Sequence, residues 1–301
     1  MLNFKPVQLQ DKPWYDRFVR IENTRSADFN FGNIYMWDPS YKQELAVCEQ
    51  RVVTKLSYEH LPFYAFPIGS GPLQPVIHEM HEHARAEGWN LRISGITEEN
   101  RQLLEQAYPG AFLYEEEPYA DYMYHTADLA YYRGKKYHGK KNHCNRFEAD
   151  YLSRWSFEPL RVSQLEECLS MLDRWISDNA WRLQDGIGSE REAIIRGFDS
   201  FEALGLFGGV LRIDGEVIGF TVGEKINEDT CDVHFEKASV DINGAYPMVA
   251  REFSRMLLTT HPELLYLNRE DDMGQESLRK SKLSMHPDYI LRKYTARYKN
   301  D

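Results

Sequence analysis

The sequence predicts an α+β fold with two domains, each a mixed β-sheet flanked by helices. Its 301 residues are about two ordinary domain lengths, and 42% of them are hydrophobic, which is enough for two cores. Strand-like and helix-like segments alternate in both halves, as expected where helices pack on a mixed sheet. A run rich in lysine and arginine separates the halves. We therefore predict domains over residues 1–127 and 153–301, joined by a basic linker helix over residues 128–152.

The N-terminal half contains signals for two helices and several short strands. A helix is expected from Pro72 to Gly88, because its apolar residues recur at helical spacing. A second helix is expected after Thr97, a residue type that caps helix N-termini. Strands are expected over residues 45–48, 51–56, 63–68, 91–93, 111–114 and 119–124.

The C-terminal half repeats this pattern with stronger signals. Asp214-Gly215, between two apolar runs, predicts a hairpin. The strand over residues 230–237 alternates, so Asp232, His234 and Glu236 are predicted to share one face. Further strands are expected over residues 207–213, 216–225, 264–267 and 289–298, and helices over residues 165–176, 190–198, 247–258 and 274–283.

The composition argues against several classes of protein. A formal net charge of −11 disfavours a general nucleic-acid binder, which usually carries a basic surplus. Cys48, Cys144, Cys168 and Cys231 are widely spaced, so free thiols are expected rather than a disulfide framework. The first residues lack the apolar stretch of a signal peptide, and no window approaches the ~18 apolar residues of a membrane helix. We therefore expect a soluble, cytoplasmic protein with no integral membrane segment.

No metal site is expected from the one histidine-rich run, residues 78–83 (HEMHEH). A zinc-binding helix needs two histidines four residues apart, with a glutamate after the first. The run does not have that spacing, because position 82 is a glutamate. A solvated helix face explains it better.

A short turn, Asn243-Gly244-Ala245-Tyr246, stands between the alternating strand and the helix that follows it. Backbone N–H groups at the start of a helix, with a glycine that allows close approach, form an anion-binding site. These four residues are therefore the candidate donor-binding site. A plain loop before a helix is the alternative interpretation.

The order of hairpin, alternating strand, turn and helix over residues 160–301 resembles the GNAT (N-acetyltransferase) fold. The resemblance implies that the turn cradles the pyrophosphate of an acyl-coenzyme A donor. It also implies that the strand over residues 230–237 lies beside the donor and carries the catalytic base. Glu236 is the first candidate for that base and His234 the second. An exposed polar sheet face is the alternative for this strand.

A closer resemblance is carried by residues 134–147 and by residues 267–282, which begin LNREDDMG. Together they resemble the family of proteins similar to the C-terminal domain of phosphatidylglycerol lysyltransferase, over nearly the whole chain. The resemblance implies two tandem GNAT-like domains. It also implies an activity in which an aminoacyl group moves from a charged tRNA to a lipid headgroup. The Fem-type peptidoglycan aminoacyltransferases are more distant relatives of this family.

Charged residues complete the predicted site. The acidic run Glu270, Asp271 and Asp272 follows a strand end, where α/β sites form, and is the candidate for binding an acceptor amine. A surface turn is the alternative. Basic residues predicted to bind tRNA or another polyanion are Lys135, Lys136, Lys140, Lys141, Arg146, Lys280 and Lys282. A solvated linker helix is the alternative for the first five of them.

These observations predict N-acyl or aminoacyl transfer to a small amine or amino-group acceptor. The expected donor is an acyl-coenzyme A or an aminoacyl-tRNA, and no metal is expected. The expected partners are tRNA and the small-molecule acceptor. Two alternatives stay open: a non-catalytic small-molecule binding protein that retains the GNAT fold, and an RNA-binding protein that uses the basic run.

Overall fold

The structure is a computed structural model that describes residues 2–179 and 187–299. The chain forms two compact units, which we call the first and second unit. The first comprises the chain up to Asp121 and from Ile290 onward, and the second comprises Tyr122–Tyr289. One large sheet belongs to each, and each sheet contains a parallel pair among antiparallel ones. The predicted α+β class with two mixed sheets is therefore confirmed.

The first sheet has the strand order β1-β2-β3-β4-β6-β15-β7, with β5 paired to β3. Numbered in chain order, its strands are β1 (Lys5–Pro6), β2 (Glu44–Cys48), β3 (Arg51–Tyr58), β4 (Leu61–Ala65), β5 (Ile68–Gly69), β6 (Arg92–Ile96), β7 (Phe112–Glu116) and β15 (Tyr294–Tyr298). The helices of this unit are α1 (Lys12–Glu22), α2 (Phe31–Met36), α3 (Asp38–Tyr41), α4 (Leu73–Ala86) and α5 (Glu98–Ala107).

Local signals explain several of these elements. The predicted hairpin forms between β2 and β3, and its two turn residues, Glu49 and Gln50, have φ angles of 48° and 59°. Thr97 caps α5, because its hydroxyl accepts a hydrogen bond of 3.3 Å from the backbone N–H of Asn100. The apolar stripe of α4 is buried, as its helical spacing predicts, and comprises Leu73, Val76, Ile77, Met80 and Ala84.

The second sheet has the strand order β14-β8-β13-β12-β11-β10-β9. Its strands are β8 (Asp121–His125), β9 (Trp155–Pro159), β10 (Phe207–Ile213), β11 (Glu216–Lys225), β12 (Thr230–Ala238), β13 (Tyr266–Asn268) and β14 (Tyr289–Leu291). Within the described part of this unit, the helices are α6 (Thr126–Tyr131), α7 (His138–Asp150), α8 (Leu165–Asn179), α9 (Ile187–Asp199), α10 (Phe201–Leu204), α11 (Ala245–Thr260) and α12 (Glu276–Leu283).

The core of the second unit lies between its sheet and α11. The hairpin of β10 and β11 turns at Asp214-Gly215, with φ angles of 51° and 85°, as predicted. Buried residues of α11, including Met248, Val249 and Phe253, pack against this sheet and against Phe147 of α7. The four cysteines are free. No helix within the described residues is long and apolar enough to cross a bilayer.

The predicted domain boundaries differ from those of the compact units. Residues 128–152 belong to the second unit, where Cys144 and Phe147 of α7 are buried in its core, so this segment is not a linker. The predicted final strand over residues 289–298 is two strands, β14 and β15, and β15 pairs with β6 and β7 of the first sheet. Chain order cannot reveal this, because a strand can pair with partners far away in sequence.

Candidate functional site

The candidate site lies in the second unit, where the parallel pairing of β12 and β13 ends. The pairs run from Thr230↔Tyr266 to Asp232↔Asn268, while β12 continues to Ala238. Beyond that point β12 contacts the loop of residues 269–274 that follows β13, through His234 with Glu270 and through Glu236 with Arg269. We call this place the notch. Ligand sites in α/β folds commonly form at the carboxyl ends of parallel strands.

A β-bulge sets which side chains of β12 face which side of the sheet. The register with β11 steps from Val222↔Phe235 to Gly223↔Val233, so β12 has one extra residue, His234, at that point. Directly paired residues share a face, and Glu236 therefore lies on the face of Val233. Asp232 and Phe235 lie on the opposite face. The prediction that Asp232, His234 and Glu236 share one face is wrong, because the bulge breaks the alternation of two.

One group of side chains, which we call the acidic cluster, surrounds His234. The imidazole Nδ1 lies 3.2 Å from Glu270 Oε1 and 3.6 Å from Asp232 Oδ2, and Nε2 lies 3.4 Å from Glu224 Oε2. The side chains of His234 and Asp232 are fully buried. Burial alone would lower the pKa of His234, but the three carboxylates outweigh it and raise the pKa to about 10. The imidazole is therefore positively charged at neutral pH.

A second group, which we call the basic cluster, surrounds Glu236. Its Oε1 accepts a hydrogen bond of 2.6 Å from Arg269 Nη2. Lys282 donates to the backbone carbonyl oxygens of Arg269 and Glu270. Burial raises the pKa of Glu236, and the charges of Arg269, Lys282 and Lys140 oppose that rise. Burial, followed by the charge of Arg269, lowers the pKa of Lys140.

The structure separates the three acidic residues predicted to bind an amine. Glu270 belongs to the acidic cluster. Asp272 is buried and accepts hydrogen bonds from the Tyr122 hydroxyl at 2.6 Å and from Arg279 Nε at 2.7 Å. Asp271 is partly exposed and accepts a hydrogen bond of 2.5 Å from the backbone N–H of Met273. Asp272 therefore anchors the loop to the rest of the unit. The carboxylate of Asp271 lies on the partly exposed surface of the loop.

The predicted donor turn packs against α7. Gly244 precedes α11 with a φ of 88°, and a Cβ at this position would lie 2.6 Å from the backbone oxygen of His143. Asn243 Oδ1 lies 2.8 Å from His143 Nδ1. Burial raises the pKa of Tyr246 to about 12. Close packing against α7 and the positive φ are sufficient to account for the glycine.

A cavity of about 210 Å³ lies beside the segment that leads into this turn. It lies between α8, the start of β11 and residues 239–242, which follow β12, and Trp175 and Ile242 are among its lining residues.

The predicted polyanion-binding residues fall into two sets. Lys140 and Lys282 are partly buried, and both contribute charge at Glu236. The exposed set comprises Lys135, Lys136, Lys141, Arg146 and Lys280. Three of the exposed set have acidic partners within 3.5 Å, namely Lys136 with Asp128, Arg146 with Asp150 and Lys280 with Glu276.

Sequence reasoning missed two members of these clusters. Arg269 stands inside the LNREDDMG stretch, but nothing local pairs it with Glu236. Glu224 lies opposite Asp232 on the neighbouring strand β11, and this pairing follows only from the register between β11 and β12. Both residues can be assigned to their clusters only from the strand pairing that the structure shows.

The chain belongs to the family described as "Phosphatidylglycerol lysyltransferase, C-terminal", which matches residues 19–297. A conserved protein of unknown function from Bacteroides thetaiotaomicron VPI-5482 is 37% identical; its crystal structure has a TM-score of 0.94, covering 99% of this chain and 100% of that one. An uncharacterized protein of Mycoplasmoides gallisepticum is 26% identical over 179 residues, 58% of this chain. The matched part is 54% of that relative, so the chain spans about half the length of the curated relative it matches.

More distant structures share the fold. The structure of L-PGS from Bacillus licheniformis is 16% identical with a TM-score of 0.66, covering 97% of this chain and 93% of that one. A tandem GNAT protein from the clavulanic acid biosynthesis pathway is 11% identical with a TM-score of 0.53, covering 99% of this chain and 98% of that one. At these identities the likeness concerns the fold, and it confirms the predicted tandem GNAT-like architecture.

Proposed function

We propose that this chain transfers an acyl or aminoacyl group to the amino group of a small acceptor, at the notch of the second unit. The observation that carries the proposal is the basic cluster at the carboxyl end of a parallel strand pair. There a buried glutamate, Glu236, contacts Arg269 and lies near two lysines. Membership of a family described by a lysyltransferase supports the same reaction class.

The charge of the basic cluster favours an anionic donor. Three cations, Arg269, Lys140 and Lys282, stand against the single carboxylate of Glu236, which leaves a formal charge of +2. Acyl-coenzyme A and aminoacyl-tRNA both carry phosphates, so either satisfies this requirement. Buried positive charge also stabilises the oxyanion that develops on the acyl carbonyl during transfer.

Glu236 is proposed as the general base. The acceptor nitrogen attacks the carbonyl carbon of the ester or thioester, Glu236 takes the proton from that nitrogen, and the alcohol or thiol leaves with a proton. A carboxylate whose pKa is raised by burial holds a proton better at neutral pH than an exposed one. His234 does not suit this role, because its imidazole is already protonated among three carboxylates.

The acceptor amine is proposed to enter beside Asp271. This carboxylate is partly exposed and follows the two residues, Arg269 and Glu270, that bridge the notch. An ammonium group would gain a charge-assisted hydrogen bond there before it loses its proton. Asp272 is not part of this proposal, because Tyr122 and Arg279 already occupy its oxygens.

In its more specific form, the proposal is that the donor is an aminoacyl-tRNA. Lys135, Lys141 and Arg146 are exposed on or next to α7, and Arg133 stacks on the ring of the exposed Tyr131 at 4.4 Å. Basic side chains bind phosphates, and an exposed arginine–tyrosine stack suits an unpaired base. The acyl-coenzyme A donor is the competing form, and it predicts no dependence on these residues.

The test is a transfer assay with two donors and one variant. Purified protein is incubated with a mixture of small amines and either acetyl-coenzyme A or a pool of aminoacyl-tRNAs, and amide products are measured by mass spectrometry. We expect product with one donor and about a hundredfold less with Glu236→Gln. Glu276→Gln, on the exposed face of α12, is the control and should retain activity. Equal activity of Glu236→Gln and the control would exclude Glu236 as the base.

The second candidate function is a non-catalytic small-molecule or RNA-binding protein. The packing of Gly244 against His143 favours it, because a turn covered by α7 offers less room for a donor phosphate. This alternative predicts binding of amines or tRNA without product from either donor. The same assay, combined with a melting-temperature shift for each ligand, separates the two functions.

A further inference from the structure

We infer that the acidic cluster binds a divalent metal ion, with Asp232, His234 and Glu270 as its ligands. This inference goes beyond the proposed acyl transfer and does not rest on it, because the basic cluster used there lies on the other face of β12. It concerns four side chains that the proposed reaction leaves without a role.

The geometry of the three candidate ligands suits a small ion. One ligand atom from each residue lies within 4.8 Å of the other two. His234 Nδ1 lies 3.2 Å from Glu270 Oε1 and 3.6 Å from Asp232 Oδ2. Zinc ligands at about 2.0–2.1 Å from the metal in tetrahedral geometry are ~3.3 Å from each other. Two of the three separations therefore already match those of a metal-bound set.

The fourth member of the cluster occupies the position of an outer partner. Glu224 Oε2 lies 3.4 Å from Nε2, the ring nitrogen opposite the one that faces Asp232 and Glu270. Histidines that bind a metal through one nitrogen commonly donate the other N–H to a carboxylate, which fixes the tautomer and orients the ring. Glu224 would hold His234 in this way and leave Nδ1 for the metal.

The composition of the cluster favours a cation. Three carboxylates surround a single imidazole, and the side chains of Glu224, Asp232 and His234 are 4%, 0% and 0% exposed. Lys282 contributes a further positive charge beside Glu270. Buried like charges are costly unless a counter-ion is close, so a metal would stabilise this arrangement.

The ligand set and its surroundings indicate the type of ion. One imidazole and two carboxylates suit zinc, manganese or ferrous iron better than calcium, which prefers six or more oxygen ligands. Glu270 is 21% exposed, so the cluster is reached from the side of the notch. Three protein ligands leave at least one coordination position for water or a substrate oxygen, as in catalytic rather than structural metal sites.

The test measures metal binding directly. Full-length protein purified without chelator is analysed by inductively coupled plasma mass spectrometry, then stripped with EDTA and titrated with ZnCl2, MnCl2 and CoCl2. We expect close to one ion per chain, a rise in melting temperature with the preferred ion, and visible d–d absorption with cobalt. Glu224→Gln should bind with 10- to 100-fold lower affinity and still reach one ion per chain.

Ligand variants decide whether this cluster is the site. Asp232→Asn and Glu270→Gln remove negative charge, so they are better tolerated than a change at His234, and both should lose the metal and the cobalt absorption. Asp271→Asn, next to Glu270 but outside the cluster, is the matched control and should keep both. Circular dichroism confirms that each variant is folded.

Three outcomes would overturn the inference. The first is protein with no bound metal and no melting-temperature shift with any of the three ions. The second is unchanged metal content in Asp232→Asn and Glu270→Gln, which would assign the ion to other histidines such as those of α4. The third is stabilisation by methylammonium but not by the metals, which would make the cluster an ammonium site.

Discussion

The acidic and basic clusters lie on opposite faces of one strand and carry opposite charges. Both bridge β12 to the loop after β13, through His234 with Glu270 and through Glu236 with Arg269. The acidic cluster places three carboxylates around one imidazole, whereas the basic cluster places three cations around one carboxylate. A single inserted residue, His234, makes this separation possible. The notch therefore presents a group rich in carboxylates and a group rich in cations within a few residues of each other.

The largest expected effect comes from leaving the carboxylate of the basic cluster without its partner. Arg269→Met should lower the free energy of unfolding by about 3–5 kcal/mol, because Glu236 would stay buried without its guanidinium. Arg292→Met is the control, since Arg292 and Glu116 form an exposed pair worth about 1 kcal/mol or less. Urea unfolding of both variants measures the difference. Equal effects would mean that the Glu236–Arg269 pair is solvated.

Neutralising one carboxylate in each cluster should have unequal results. In EDTA, Glu236→Gln should lower the free energy of unfolding by about 1–3 kcal/mol, because it leaves three cations without their counter-charge. Glu270→Gln should lower the free energy of unfolding by less, because it relieves repulsion between the carboxylates of the acidic cluster. Urea unfolding of the two variants in one buffer makes the comparison. A larger loss for Glu270→Gln would contradict the charge counts.

The turn before α11 provides a test of packing rather than charge. Gly244→Ala should lower the free energy of unfolding by about 1–3 kcal/mol. The substitution adds a Cβ 2.6 Å from the backbone oxygen of His143, at a residue whose φ is 88°. Gly88→Ala is a matched control with a φ of 81° and no atom within 4 Å of the added Cβ. The excess loss of Gly244→Ala, read from thermal or urea unfolding, measures the contact with α7. No excess would mean that the turn can move away from α7 and admit a ligand.

The smallest expected effect concerns a partly buried charge group of the first unit, in which the Asp28 side chain is 34% exposed. Lys293 Nζ lies 2.8 Å from Asp28 Oδ1 and 2.9 Å from Asp121 Oδ1. Burial raises the pKa of Asp28 to about 7, although the charge of Lys293 opposes the rise. The folded chain then binds a proton that the unfolded chain has lost. The contribution of Asp28 to stability therefore falls as pH rises from about 4 to about 7.

The variant Asp28→Asn isolates this dependence. Its stability relative to the wild type should increase between pH 5 and pH 8, because asparagine does not ionise. Urea midpoints at the two pH values measure the change. A constant difference in urea midpoint between the two proteins would show that Asp28 is ionised throughout this range, because the charge of Lys293 outweighs burial.

Much of the fold and part of the site could be predicted from the sequence. The two hairpins, the α4 stripe and the Thr97 cap depend on neighbours within a few residues, and all are present as predicted. Glu236, His234 and Glu270 all lie at the notch. Their grouping could not be predicted, because it depends on a bulge and on the register between strands that are distant in sequence.

The sequence by itself determined the element types, the hairpin turns, the family and the set of chemically capable residues. Each of these depends on local spacing or on a motif whose residues are close together in the sequence. Only the tertiary structure decided that Glu236 and His234 face apart, that α7 covers Gly244, and that β15 completes the first sheet. These features arise from backbone pairing between remote segments, in which a one-residue shift reverses the face that a side chain occupies.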